Sequence, residues 1–125
     1  MKKSGAKRIM RWFLLVLFIV AALIFLNSAL FSAWNAGGPP SDYAEAWGQR
    51  ALVHLGYSGA LFIAGVAIFI QIRRFPQIGV VPIGLLVIAG IIAISPHGRA
   101  FLAQDKCLDK GGKWIAVEYR CEVRD

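Results

Sequence analysis

The sequence predicts an all-α membrane protein with three transmembrane helices and a small disulfide-linked helix–strand tail. Three observations predict it. Three apolar runs, 13–33, 52–72 and 78–94, contain no acidic residue, lysine or arginine. About twenty such residues at roughly 1.5 Å rise each span a hydrocarbon core of roughly 30 Å. The 125 residues are 58% hydrophobic with a mean hydropathy of +0.60, too apolar for a soluble domain of this size. The charges lie between the runs. With the N-terminus inside, the inner segments hold Lys2, Lys3, Lys7, Arg8, Arg11, Arg73 and Arg74 and no acid, while all the acids fall outside. Lysine and arginine counts tie across the two sides, so orientation rests on short loops and on residues near span ends. Those place the N-terminus in and the C-terminus out.

Three segments follow from this reading: 1–11, a basic cytoplasmic leader; 12–95, a three-helix transmembrane domain; and 96–125, an exported tail. The leader fits anionic headgroups, at roughly 1 kcal/mol per basic residue near the surface. It is not read as a nucleic-acid arm, and no nucleic-acid partner is expected. Trp12 and Trp34 flank the first span as interfacial anchors. Its apolar core exceeds the 7–15 residues of a signal peptide, and Phe31-Ser32-Ala33 is a poor cleavage site, so a retained anchor is expected. Asn27 and Ser28 are the polar residues of its outer part.

The loop 35–49 contains Gly37-Gly38-Pro39-Pro40, which breaks a helix. Asp42 followed by Glu45 reads as a capping box, starting the second helix near Tyr43 with Tyr43 and Trp47 at the interface. These residues can anchor the chain in headgroups or form a contact surface. The middle span is the one around which the others are arranged. Gly56, Ala60 and Ala64 recur at every fourth position, a ridge on which a neighbouring backbone can approach closely. His54, Tyr57 and Ser58 lie at the depth of Asn27 and Ser28, so an Asn27–His54 or Asn27–Tyr57 contact is expected. Such a polar set is either interhelical glue or a ligand or proton site. Arg73-Arg74-Phe75-Pro76 makes a tight inner turn, and Ser95-Pro96 ends the third span.

The tail has soluble character. Phe101, Asp105 and Leu108 follow a helical step, and Gly111-Gly112 is the expected C-cap. From 114 to 123 apolar and polar residues alternate as in one half-buried strand. A Cys107–Cys121 disulfide would tie helix to strand, worth roughly 3 kcal/mol for a loop of about fifteen residues. Both cysteines fall on the outer, oxidising side.

Cys107-Leu108-Asp109-Lys110-Gly111-Gly112-Lys113-Trp114, closed by Cys121, resembles a cysteine-bracketed tail of small bacterial envelope proteins. Some of those accompany secreted toxins as immunity proteins. No cysteine follows the first apolar run, so the lipid anchor of the lipoprotein members is not implied. In topology alone, the three-span plan is similar to the immunity proteins of pore-forming bacteriocins. The resemblance implies a bacterial inner (cytoplasmic) membrane location and an exported disulfide.

Catalytic signatures are missing. There is no phosphate loop, HExxH, nucleophile elbow, heptad array or internal repeat. The spacing of His54, His97, Cys107 and Cys121 matches no short metal motif. The spans contain no carboxylate, which argues against proton-coupled transport. No enzyme activity, metal or cofactor is expected. Two readings remain. One is a non-catalytic binding protein that grips a protein partner at the outer face, as a toxin-immunity protein would, with Asp42, Tyr43, Glu45, Trp47, Trp114 and Tyr119 as contact residues. The other is an accessory or assembly subunit packed laterally on a larger membrane complex, with the Gly56, Ala60 and Ala64 ridge carrying the effect, while Asn27 and His54 join these three as helix-packing residues of the chain itself.

Overall fold

The computed structural model describes residues 2–40 and 43–123. Helix α1 runs Lys2–Ala36, α2 Ala44–Arg74 and α3 Val80–Asp109. Strands β1, Lys113–Ile115, and β2, Arg120–Glu122, form a two-stranded antiparallel hairpin in which Trp114 pairs with Cys121. All three helices are long and apolar enough to cross a membrane. Large apolar side chains point outward all round them, among them Phe13, Leu23, Phe62, Ile83 and Ile91. The start of α1, the end of α2 and the start of α3 share one end, here the basic end. The hairpin lies at the other, the tail end.

Both outer helices pack on α2 and hardly touch each other. The α1–α2 seam is an antiparallel ladder. Trp12 meets Phe69 edge-on with ring centroids 5.0 Å apart. Gly65 lies against Phe18 and Leu15. The Ser58 hydroxyl donates to the Ala22 carbonyl at 2.7 Å. Phe25 packs on His54 and Tyr57, and Phe31 on Trp47. Ala22, Ala29 and Ser32 are buried on the α1 side, Ser58 and Gly65 on the α2 side. Their steps of three and seven residues follow the seam spacing of antiparallel helix pairs, with small residues where the backbones come closest. Although the chain lacks a sustained heptad array, this one seam uses its spacing.

The α2–α3 seam is tightest at Gly56. A Cβ there would lie 3.1 Å from the Ile92 carbonyl oxygen and 3.3 Å from Pro96 Cγ. Pro96 is buried inside α3. It has no N–H to donate to Ile92, four residues earlier. Gly56 thus brings a small backbone against the carbonyl that lacks this donor. The Gln49 amide donates to the Pro96 carbonyl at 2.7 Å, and the Arg99 guanidinium to Gln49 Oε1 at 3.3 Å. The proline is therefore carried within the helix, so the helical step expected over 101–108 is not a separate helix but part of α3.

The basic leader takes a defined form, and one further expectation changes. The 1–11 leader is helical from Lys2 and continuous with α1. Its Lys7 ammonium donates to the Phe75 carbonyl at 3.0 Å, and Arg11 stacks over Phe69. The single strand over 114–123 is instead a hairpin whose turn is 116–119, with Tyr119 at φ 51°. Alternation cannot distinguish a long strand from two short ones facing each other. The Phe75–Pro76 peptide in the α2–α3 turn is cis.

Candidate recognition site at the tail end

The tail is held by its backbone and its disulfide together. The Gly112 N–H donates to the Cys107 carbonyl and the Gly111 N–H to Leu108, both at 3.0 Å, with Gly111 at φ 71°. These are the paired bonds of a Schellman motif, and the positive φ favours glycine at that position. Cys107 and Cys121 are joined, with Cα atoms 5.5 Å apart. The bridge lies directly over Gly112. A Cβ there would stand 2.6 Å from Cys121 Sγ and 3.1 Å from the Glu122 carbonyl. The two glycines thus have separate tasks, one for the turn and one for the close approach.

Trp114 and Tyr119 meet edge-on with centroids 5.1 Å apart, and both are half-buried. Their rings therefore stiffen the hairpin, and the Tyr119 hydroxyl is buried. Glu118 and Arg120 form an ion pair beside them. Val117, at the tip, is exposed and joins Tyr43, Ala46, Trp47 and Arg50 around an open concavity of about 430 Å³. Hairpin and α2 start thus form one surface. The Arg50 guanidinium sits 5.4 Å from the Trp47 ring, a cation–π pair. The helix begins at Ala44 with Tyr43 in the N-cap position and no side-chain cap bond. With Tyr43 at the cap, Glu45 is the second residue of α2, and the other half of the expected capping box is Asp42. Asp42 lies outside the described residues.

Asn27 and His54 line a common cavity between α1 and α2, but no hydrogen bond joins them. Tyr57 does not reach Asn27 either. Its hydroxyl pairs with His97 Nε2 at 2.7 Å, linking α2 to α3. Of the expected ridge, Gly56 makes the close approach. Ala60 and Ala64 instead line a shallow apolar groove of about 440 Å³ whose walls include Phe25 of α1 and Leu86, Ala89 and Ala93 of α3. Sequence reasoning placed Ser58 in the polar set without naming its partner, and missed Gly65 and Arg50. Ser58 and Gly65 are seven apart, as are Ala22 and Ala29. Arg50 is the lone basic residue at the head of the middle span. Among the described residues, no group of three or more His, Cys, Asp or Glu side chains converges as a metal site. No protein-family model, curated protein or solved structure matches this chain.

Proposed function

We propose that this chain is a non-catalytic protein of the bacterial inner membrane, N-terminus inside, that presents its tail end to a protein partner outside. The outward apolar belt supports the membrane placement, since such a surface needs a hydrocarbon solvent. Lys7, Arg8, Arg11, Arg73 and Arg74 gather at the opposite end, which supports the orientation. The observation that carries the recognition reading is the concavity shared by Tyr43, Trp47, Arg50 and Val117. It joins two segments about seventy residues apart and offers Trp, Tyr and Arg, the side chains favoured at interface hot spots. The partner class is a toxin reaching the outer membrane face, for which the protein would act as an immunity protein.

A photo-cross-linking side chain placed at Val117, and separately at Trp47, tests this in cells, with Phe62 on the apolar belt as reference. The same protein adduct is expected from both positions and not from Phe62. Loss of both adducts under conditions of full protection would refute it. The apolar groove beside Ala60 and Ala64 favours a second reading, an accessory subunit that receives a helix of a larger complex. That reading places the adduct at Ala60 instead.

A further inference from the structure

The cavity between α1 and α2 near the tail end has a volume of about 270 Å³. Its polar wall is Asn27, Ser28 and Ser32 from α1 and Arg50 and His54 from α2. Arg50 and His54 stand one helical turn apart, so their side chains share a face. His54 Nδ1 is buried and has no hydrogen-bond partner. Ser32 is only 1% exposed. This wall offers one permanent cation and four groups able to donate, and no carboxylate among the described residues lines it. Such a donor set is complementary to an anion with several acceptor oxygens.

The position selects among anions. Phe31 and Trp47, packed edge-on, form the apolar side of the cavity. Phe31 and Leu30 are exposed on the lipid-facing belt, and Trp34 marks the interfacial level just beyond. An occupant thus meets hydrocarbon on one side and the Arg50 guanidinium on the other. The volume lies below the range of pockets for drug-sized ligands and suits a headgroup.

We propose that this cavity binds the phosphate of a phospholipid headgroup drawn from the surrounding bilayer. Arg50 pairs with the phosphate charge, and His54, Asn27 and the serine hydroxyls donate to its oxygens. The proposal rests on the membrane placement above, and its cavity shares Arg50 and Trp47 with the concavity offered to a protein partner.

Native mass spectrometry of the full chain in uncharged detergent tests it, with dioleoylphosphatidylglycerol, dioleoylglycerol and inorganic phosphate as separate probes. The wild type is expected to retain one phosphatidylglycerol, to ignore dioleoylglycerol, and to bind inorganic phosphate far more weakly. Arg50→Gln should weaken retention about tenfold or more, the scale of a lost charged hydrogen bond. Ser28→Leu should do the same by filling the cavity from the other helix. It decides the matter if thermal melting shows Arg50→Gln to be unfolded. Lys106→Gln, which removes an exposed charge elsewhere on α3, should leave retention intact. Wild-type retention by both cavity variants, equal loss in Lys106→Gln, or equal binding of dioleoylglycerol would overturn the site. Inorganic phosphate bound as tightly as the lipid would overturn the lipid source. Carbonate extraction of cell membranes reads the membrane placement separately, so a chain that stays embedded but retains no lipid sinks the site alone.

Discussion

Gly65→Ala is a one-methyl probe of the α1–α2 seam. The added Cβ would lie 2.7 Å from Phe18 Cβ and 3.3 Å from Phe18 Cγ. Carbon atoms prefer about 3.5–4.0 Å, so the shortfall is about 0.8 Å or more. Phe18 Cβ is fixed to its backbone and no rotamer change moves it away. The helices must part, and the nearby 2.7 Å bond from Ser58 to the Ala22 carbonyl must stretch with them. Overpacking of this kind costs about 1–3 kcal/mol, and an interhelical polar bond adds about 0.6 kcal/mol. Helix propensity works in the opposite direction, favouring alanine over glycine by about 1 kcal/mol. Gly59→Ala removes that offset from the comparison. It lies in the same helix, and its Cβ would meet only Ile92 Cγ2 at an ordinary 3.8 Å. The difference between the two variants is therefore expected at about 1–3 kcal/mol, with Gly65→Ala the less stable. Equilibrium unfolding in mixed micelles, followed by helical circular dichroism, measures both. Equal stabilities, or a more stable Gly65→Ala, would refute the geometry of this seam.

Three other outcomes follow from the same packing. Ala60→Leu should leave the stability of the isolated chain unchanged within about 0.5 kcal/mol, because its side chain enters an open groove, yet abolish lateral assembly if a partner helix lies there; copurification in mild detergent reads the second effect. A cysteine introduced at Arg74 should resist an impermeant maleimide in intact cells while one at Asp109 is labelled, and the reverse pattern would invert the orientation. Replacing both Cys107 and Cys121 by serine should release the hairpin, with a loss of up to about 3 kcal/mol locally, seen as trypsin cleavage at Lys113 and Arg120 while α1 to α3 stay protected.

The three helices and the central place of α2 were legible because uninterrupted apolar runs and a small-residue middle span leave few alternatives. Pro96 was misread for a physical reason. An interior proline costs about 3 kcal/mol, so a sequence reader ends the helix there. Its neighbours in the fold, Gln49 bonded to the Pro96 carbonyl and Gly56 leaving room for the ring, lie forty and more residues away, and local sequence does not display them. The hairpin was hidden differently. Its turn 116–119 has no Gly, Pro, Asn or Asp, and the left-handed residue is Tyr119, which carries no turn signature. Its φ costs about 1–2 kcal/mol, offset by the Trp114 contact and the stapled ends. The candidate surface at the tail end was half legible. Trp47 and Tyr43 were named, but Arg50 and Val117 become site residues only when the hairpin tip is folded over the start of α2.

Because α3 passes through Pro96 unbroken, the hairpin is mounted as a lever. The last bonds holding α3 to α2 are at Pro96, His97 and Arg99, and the staple is at Cys107. The arm between Pro96 and Cys107 is about 16 Å of helix. A tilt of about 10° at the Gly56–Pro96 contact would swing the staple by about 3 Å on such an arm. Conversely, a load applied to the hairpin arrives as torque at Gln49 and Gly56, within the apolar seam itself. Whatever touches this protein from the tail end thus has a stiff mechanical route into its helix packing, with no slack joint between them.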